Sequence, residues 1–343
     1  MARWTSILVF PLLLALVAGC GSQPQAGDAS QPADVVPKLA FISNGVADFW
    51  TIAEQGATKA GKDLGVDVTV VMPNGMTDQT RKVEDLLTRG IDGIAISPID
   101  SENQIDILNK AASETILITH DSDAPNSNRV MYIGMDNYLA GLMCGELVRK
   151  GLPDGGKVMI LIGRADQDNA KGRRQGCIDG ILGRDPDSSR NDPLGEVLTS
   201  EDGKYIVLGT LTDQFDRAKG KANAEDTLTR HPDIAAMVGL FTYNPPLAME
   251  AIDRAGKLGK IKVIAFDEAD AVLQGIKDGT VVGTVVQDPY EYGYQSIRVL
   301  NELVKENTAV VPPSKFIDIP ARVIDQSNVD AFWEDLKEKT GRK

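Results

Sequence analysis

The sequence predicts an α/β protein made of two similar doubly wound parallel-sheet lobes. Three observations carry this expectation. From Lys38 onward, short apolar, β-branched runs alternate with longer stretches of helical period. The apolar runs are near-continuous, as they must be where helices cover both faces of a parallel sheet. The pattern also restarts: Lys38 and Lys157 each open a strand–loop–helix series, and the segments ILITHD (116–121) and KVIAFD (262–267) both end in Asp.

Taken in order, the strand candidates are 39–42, 66–71, 93–96, 116–119, 130–133, 158–162, 206–208, 236–240, 263–266, 281–286 and 316–319. The helix candidates between them are 50–64, 77–89, 101–112, 138–150, 169–182, 214–230, 246–255, 269–277 and 290–305. Many of these helices run into a glycine (Gly65, Gly90, Gly151, Gly183, Gly256, Gly279), the residue that most readily terminates a helix before the next strand. Eleven strands exceed one compact sheet of this kind. That count and the restart argue against a single eight-fold α/β barrel. A last stretch, 328–339, carries Val329, Phe332, Trp333 and Leu336 at helical spacing and reads as a packing helix.

The chain opens with an address rather than with structure. Arg3 precedes an apolar run from Ile7 to Ala18, too short to span a bilayer and suited to a signal-peptide core. The run ends in LVAGC, which resembles a bacterial lipobox and makes Cys20 the expected lipidated first residue of the mature chain. Residues 21–37 are rich in Gly, Ser, Gln, Pro and Ala and read as a flexible tether. Export to the periplasm or cell surface, with a lipid anchor in the membrane, follows. With Cys20 assigned, Cys144 and Cys177 remain as an even pair, which in an exported protein suggests a disulfide. Both fall in expected helices, where cysteine equally serves as a small buried hydrophobe.

Composition narrows the function. The 343 residues include 49 acidic and 36 basic ones, a net charge of −13, which argues against a nucleic-acid partner because phosphate binding needs a basic face. Two histidines and three cysteines nearly exclude a zinc enzyme or zinc ribbon. No nucleophile elbow G-x-S-x-G, no G-x-G-x-x-G after a strand and no phosphate loop occurs. His120 beside Asp121 is the one candidate for acid–base work, so a non-enzyme without cofactor or metal is expected.

In open α/β sheets, ligands bind beyond the carboxyl ends of strands. The residues there are Ser43, Asn44, Asp48, Phe49 and Trp50; Asp121 and Ser122; Asn169 and Arg173; Asp213 and Phe215; Asn244; Asp267; and Gln287. Asp, Asn, Gln and Arg supply planar donors and acceptors, and Phe and Trp supply flat apolar faces. A sugar presents hydroxyls around its rim and C–H groups on its faces, so the set suits a sugar. Singly, each has a plainer reading. Asp48, Asp168 and Asp213 equally suit helix caps, and Phe49 and Trp50 equally suit a lobe core. The argument rests on convergence.

These segments resemble the ribose/galactose-binding type of periplasmic sugar-binding protein that serves ABC importers, over most of the chain from Lys38 to about Asp325. KLAFISNGVADFW resembles the family's opening strand, with its stacking aromatics at Phe49 and Trp50. ITHD carries the sugar-binding acid at Asp121, and DNAKGRRQGCIDG the arginine helix, with Arg173 and a polar partner at Asn169. DQFDRAKG places the second lobe's aromatic at Phe215. Asn244, Asp267 and Gln287 fall on the amide, acid and hinge amide. Three departures stand out: Ala47 where a polar ligand is usual, Ser122 where ribose binders carry arginine, and Pro245-Pro246 where acidic residues are usual.

The resemblance implies two lobes joined by a hinge of three crossings near Asn137, Gln287 and Ile319, with a ligand cleft between them. With the signal peptide (1–19), the tether (20–37) and the C-terminal helix (326–343) read from the residues, it implies a first lobe (38–137 plus 288–318) and a second lobe (138–287 plus 319–325). It also implies binding of a small sugar or polyol by a monomer and delivery to an importer permease. The same fold can instead sense a sugar, nucleoside or signal molecule for a membrane kinase or chemoreceptor.

Overall fold

The computed structural model describes Met1 and residues 36–341. The expected export signal, Cys20 and nearly all of the tether lie outside the described residues. In chain order the first part comprises β1 (Lys38–Ile42), α1 (Asp48–Leu64), β2 (Asp67–Val71), α2 (Met76–Thr88), β3 (Gly93–Ile96), α3 (Ile105–Glu114), β4 (Ile116–His120) and β5 (Tyr132–Gly134). The second comprises α4 (Asn137–Gly151), β6 (Gly156–Ile162), α5 (Asp168–Leu182), β7 (Leu198–Thr199), β8 (Tyr205–Thr212), α6 (Arg217–Arg230), β9 (Ile234–Gly239), α7 (Asn244–Arg254), β10 (Lys262–Phe266), α8 (Asp270–Lys277) and β11 (Val281–Val286). The chain ends with α9 (Pro289–Val304), β12 (Phe316–Asp318), β13 (Arg322–Ile324) and α10 (Val329–Thr340).

Two sheets result. The first is all parallel, in the order β12-β5-β4-β3-β1-β2. The second is ordered β13-β11-β10-β9-β6-β8-β7, parallel except for the short edge strands β7 and β13. The chain therefore passes between sheets after β5, after β11 and after β12. Alternate side chains of one strand enter different cores. Leu39 and Phe41 lie in one cluster while Ala40 and Ile42 lie in another. Val263 and Ala265 are likewise divided from Ile264 and Phe266. Each side chain the size of Leu or Phe so buried is worth about 1.5–3 kcal/mol against exposure.

The main departures from the expected elements have local causes. Helix α6 begins at Arg217 rather than 214, because Gln214 and Phe215 adopt left-handed backbone (φ 59° and 63°) and Asp216 caps the helix through the amides of Ala218 and Lys219. The short strands β7 and β13 were not expected; two or three residues give no readable period. Gly151 is the last residue of α4 rather than a left-handed stop, whereas Gly65 and Gly183 are left-handed caps.

Each lobe contains one very close helix pair. In the first, α1 crosses α9, where a Cβ on Gly56 would sit 1.9 Å from the Tyr290 carbonyl oxygen. In the second, α4 crosses α5, where a Cβ on Gly141 would sit 2.2 Å from the Arg173 carbonyl oxygen. At the second crossing, the two cysteines follow the buried-hydrophobe reading rather than the possible disulfide. Cys144 and Cys177 are free thiols, each fully buried in the second lobe's core. Burial pushes both thiols up in pKa, which is the signature of packing rather than reactivity. Helix α10 joins the same lobe: Val329 and Leu336 enter its core, and Lys277 of α8 pairs with Asp330 at 2.6 Å. Leu336 also shares that core with Ile52 of α1, so α10 touches both lobes.

Candidate functional site

The carboxyl ends of the two sheets face each other, and the chemistry expected from the sequence gathers there. Asp121 and Asp267 end β4 and β10 in the same left-handed backbone conformation, φ 57° and 65°. Asp and Asn are enriched in this conformation over other residues with a Cβ. The repeated strand-plus-Asp signature is thus a repeated geometry that projects one carboxylate from each lobe. Both are buried.

The positive charge of Arg173 acts on both carboxylates. Its helix, α5, holds it through the close crossing with α4. The guanidinium donates from Nε to Asn137 Oδ1 at 2.8 Å and from Nη1 to the Leu240 carbonyl at 3.4 Å, leaving Nη2 buried without a partner. It lies over the Phe266 ring at 4.3 Å and the Phe241 ring at 5.5 Å. Burial raises the pKa of the Asp121 carboxyl to about 6, against the pull of Arg173 and Ser97. Burial also raises the pKa of Asp267, again opposed by Arg173, with Thr242 and Gln287 opposing it as well. Two desolvated carboxylates and one guanidinium, with an unused N–H, form a site short of partners.

Each carboxylate is oriented by its own shell. Asp121 Oδ2 accepts from Ser97 Oγ at 3.1 Å and Asn44 Nδ2 at 3.4 Å. Asn44 Oδ1 in turn accepts from the Trp50 indole at 3.0 Å. Asp267 accepts from Gln287 Nε2 at 2.9 Å and from the Thr242 hydroxyl. Tyr292 donates to Gln287 Oε1 at 3.3 Å.

The remaining expected residues fall at different distances from this centre. Phe49 and Trp50 are buried in the first lobe's core, edge to face at 4.8 Å. Ser122 and Asn169 are buried at the rim, and Asn169 Oδ1 accepts from the Ala170 amide. Asp48 is exposed in the first turn of α1 and is not drawn into the cluster. The Ser43 hydroxyl is occupied locally by the Gly45 carbonyl at 2.6 Å. Phe215 is 44% exposed and rests edge-on against Phe241, 5.7 Å away. His120 is stacked on Phe41 at 4.1 Å, donates to or accepts from no catalytic partner, and contacts the Ile42 carbonyl at 3.1 Å through Nε2. Burial lowers its pKa to about 3, so it is a neutral packing residue.

Ser97, Thr242, Phe241, Phe266 and Tyr292 belong to the site's support and were not among the expected binding residues. Ser97 and Thr242 follow strands and were within reach of the strand-end argument. Phe266 lies inside an expected strand and Phe241 directly follows one. The lobes meet at the rim: Gln167 donates to the Ile99 carbonyl at 3.3 Å, and Arg164 lies 3.9 Å from Asp100. Among the described residues, no cluster of three His, Cys, Asp or Glu is placed to hold a metal.

A family model for the periplasmic binding protein domain matches residues 39–308. The chain is 28% identical over 263 residues to a ribose import binding protein of Salmonella typhimurium, spanning 75% of this chain and 81% of that one. It is 26% identical over 305 residues to a ribose import binding protein of Bacillus subtilis, spanning 87% and 92%. Among solved structures, an ABC-transporter solute-binding protein of Burkholderia graminis in complex with D-arabinose superposes with TM-score 0.75 at 27% identity, over 85% of this chain and 96% of that one. A glucose-galactose binding protein of Geobacillus stearothermophilus has the same fold, with TM-score 0.75 at 23% identity, over 86% and 99%.

Proposed function

The chain belongs to the periplasmic binding protein family, and from that premise we propose that it binds a small sugar or polyol between its lobes and presents it to an ABC importer. The observation that carries the reading is the group of Asp121 from one lobe with Arg173 and Asp267 from the other, alongside which Arg173 Nη2 and Asn244 Oδ1 are buried and unsatisfied. Hydroxyl groups both donate and accept, so one sugar rim can serve two carboxylates, an amide oxygen and a guanidinium N–H together. The relatives named for ribose import and the D-arabinose complex agree in chemical class. At Ser122 a short hydroxyl replaces the charge and reach of arginine, so we infer a ligand other than ribose.

Binding then couples to closure. Ligand groups replace water around charges that are costly to bury, and the closed form gains what the open form lacks. Calorimetric titration with pentoses, hexoses and polyols tests the reading. Saturable heat with one subset is expected, and no response to any member would overturn it. Loss of binding in Arg173→Ala or Asp267→Ala with the fold retained would locate the site, and unchanged affinity in both would displace it.

A further inference from the structure

Asp213 lies outside the carboxylate–guanidinium cluster, yet it is buried and three donors converge on it. Its Oδ1 accepts from the Phe215 amide at 2.9 Å and from the Tyr243 hydroxyl, and its Oδ2 accepts from Asn244 Nδ2 at 2.8 Å. It caps no helix, because Asp216 does that for α6. A carboxylate only accepts, so it fixes which arm of the Asn244 amide turns toward it. The other arm, Oδ1, is buried without a partner. Asn244 opens α7 beside the Leu240–Phe241 segment that touches Arg173.

We propose that Asp213 is a positioning residue for specificity: it locks the Asn244 amide so that only its carbonyl oxygen meets the ligand, and that subsite therefore demands a hydroxyl acting as donor. The inference rests on the sugar-binding reading. A donor-demanding subsite rejects fluorine, which occupies a hydroxyl's place but cannot donate.

The substitution D213N reverses the demand for a structural reason. Its amide oxygen must stay toward the Phe215 N–H, a fixed backbone donor. Its NH2 then faces the Asn244 NH2, and the clash is relieved when Asn244 turns over. The Asn244 NH2 now meets the ligand, and an acceptor suffices there.

The test is a set of monodeoxyfluoro analogues of whichever sugar binds the wild-type protein, titrated against wild type, D213N, N244A and the double variant, with melting temperatures as a fold control. At one hydroxyl position, fluorine should cost the wild type tenfold or more in affinity and D213N threefold or less, with the other positions unchanged. The N244A background should abolish that difference. An unchanged profile in D213N, or an equal change in the N244A background, overturns the inference while leaving the sugar reading intact. If the wild type binds no sugar, both fall.

Should D213N fail to fold, wild-type protein labelled with 15N-asparagine decides. The Asn244 NH2 should exchange slowly both without and with sugar, held by Asp213. Fast exchange, or protection that appears only with sugar, overturns the inference.

Discussion

Replacing Asp121 by asparagine should stabilise the ligand-free protein while impairing binding. The carboxyl has a pKa of about 6, where an ordinary one has 3.8, and burial is the leading cause. A carboxyl whose pKa is higher in the folded than in the unfolded chain favours the folded state when protonated. The cost of its charge is absent below pH 3.8, grows between there and about pH 6, and is complete above. About 2 pKa units at about 1.36 kcal/mol each put that cost near 3 kcal/mol at neutral pH. D121N keeps the shape and removes the charge. For a folded body of about 300 residues unfolding as one unit, about 3 kcal/mol raises the melting temperature by roughly 5 °C.

Scanning calorimetry of ligand-free wild type and D121N at pH 8, 6 and 4.5 measures it. The advantage of D121N should be full at pH 8 and shrink toward pH 4.5, and sugar affinity should fall at least tenfold at neutral pH. A pH-independent difference, or a less stable D121N at pH 8, would refute the claim that function here is bought with a desolvated charge.

Three further outcomes follow from the packing and the sequence. Gly141→Ala places a methyl 2.2 Å from the Arg173 carbonyl, so it should destabilise by about 1–3 kcal/mol and also weaken sugar binding, both read from melts and titrations. Cys144 and Cys177 should be unreactive to a thiol reagent in the native protein and both reactive after denaturation without reductant; a mass two hydrogens lower would show a bridge. Cys20→Ser should move the exported protein from the membrane fraction to the soluble fraction, as expected for loss of a lipid anchor.

Much of this arrangement was legible because its signals are local. Strand periodicity, the glycine at the end of α1 or α5 and the paired strand-plus-Asp motif depend on neighbours a few residues away. The strand-end rule then set Asp121, Arg173, Asn244, Asp267 and Gln287 side by side as candidates without any contact being known. Where the reading fell short, long-range contacts decided. Asp48 stood in the strand-end set, but it is an exposed first-turn residue of α1. Cys144 and Cys177 looked like a bridge by parity, but close helix packing buries them as thiols.

By itself, then, the sequence determined the α/β class, the doubling, the order of elements and the chemical character of the strand ends. It did so because backbone preference and hydrophobic period are properties of short segments. Only the tertiary structure decided which polar groups share a partner. It put Arg173 against Phe241 and Phe266 and brought its charge within electrostatic reach of a carboxylate from each lobe. It also turned Asp213 from a helix cap into the anchor of the Asn244 amide. Those outcomes depend on burial and on the pairing of donors with acceptors across tens of residues of chain, which no local pattern encodes.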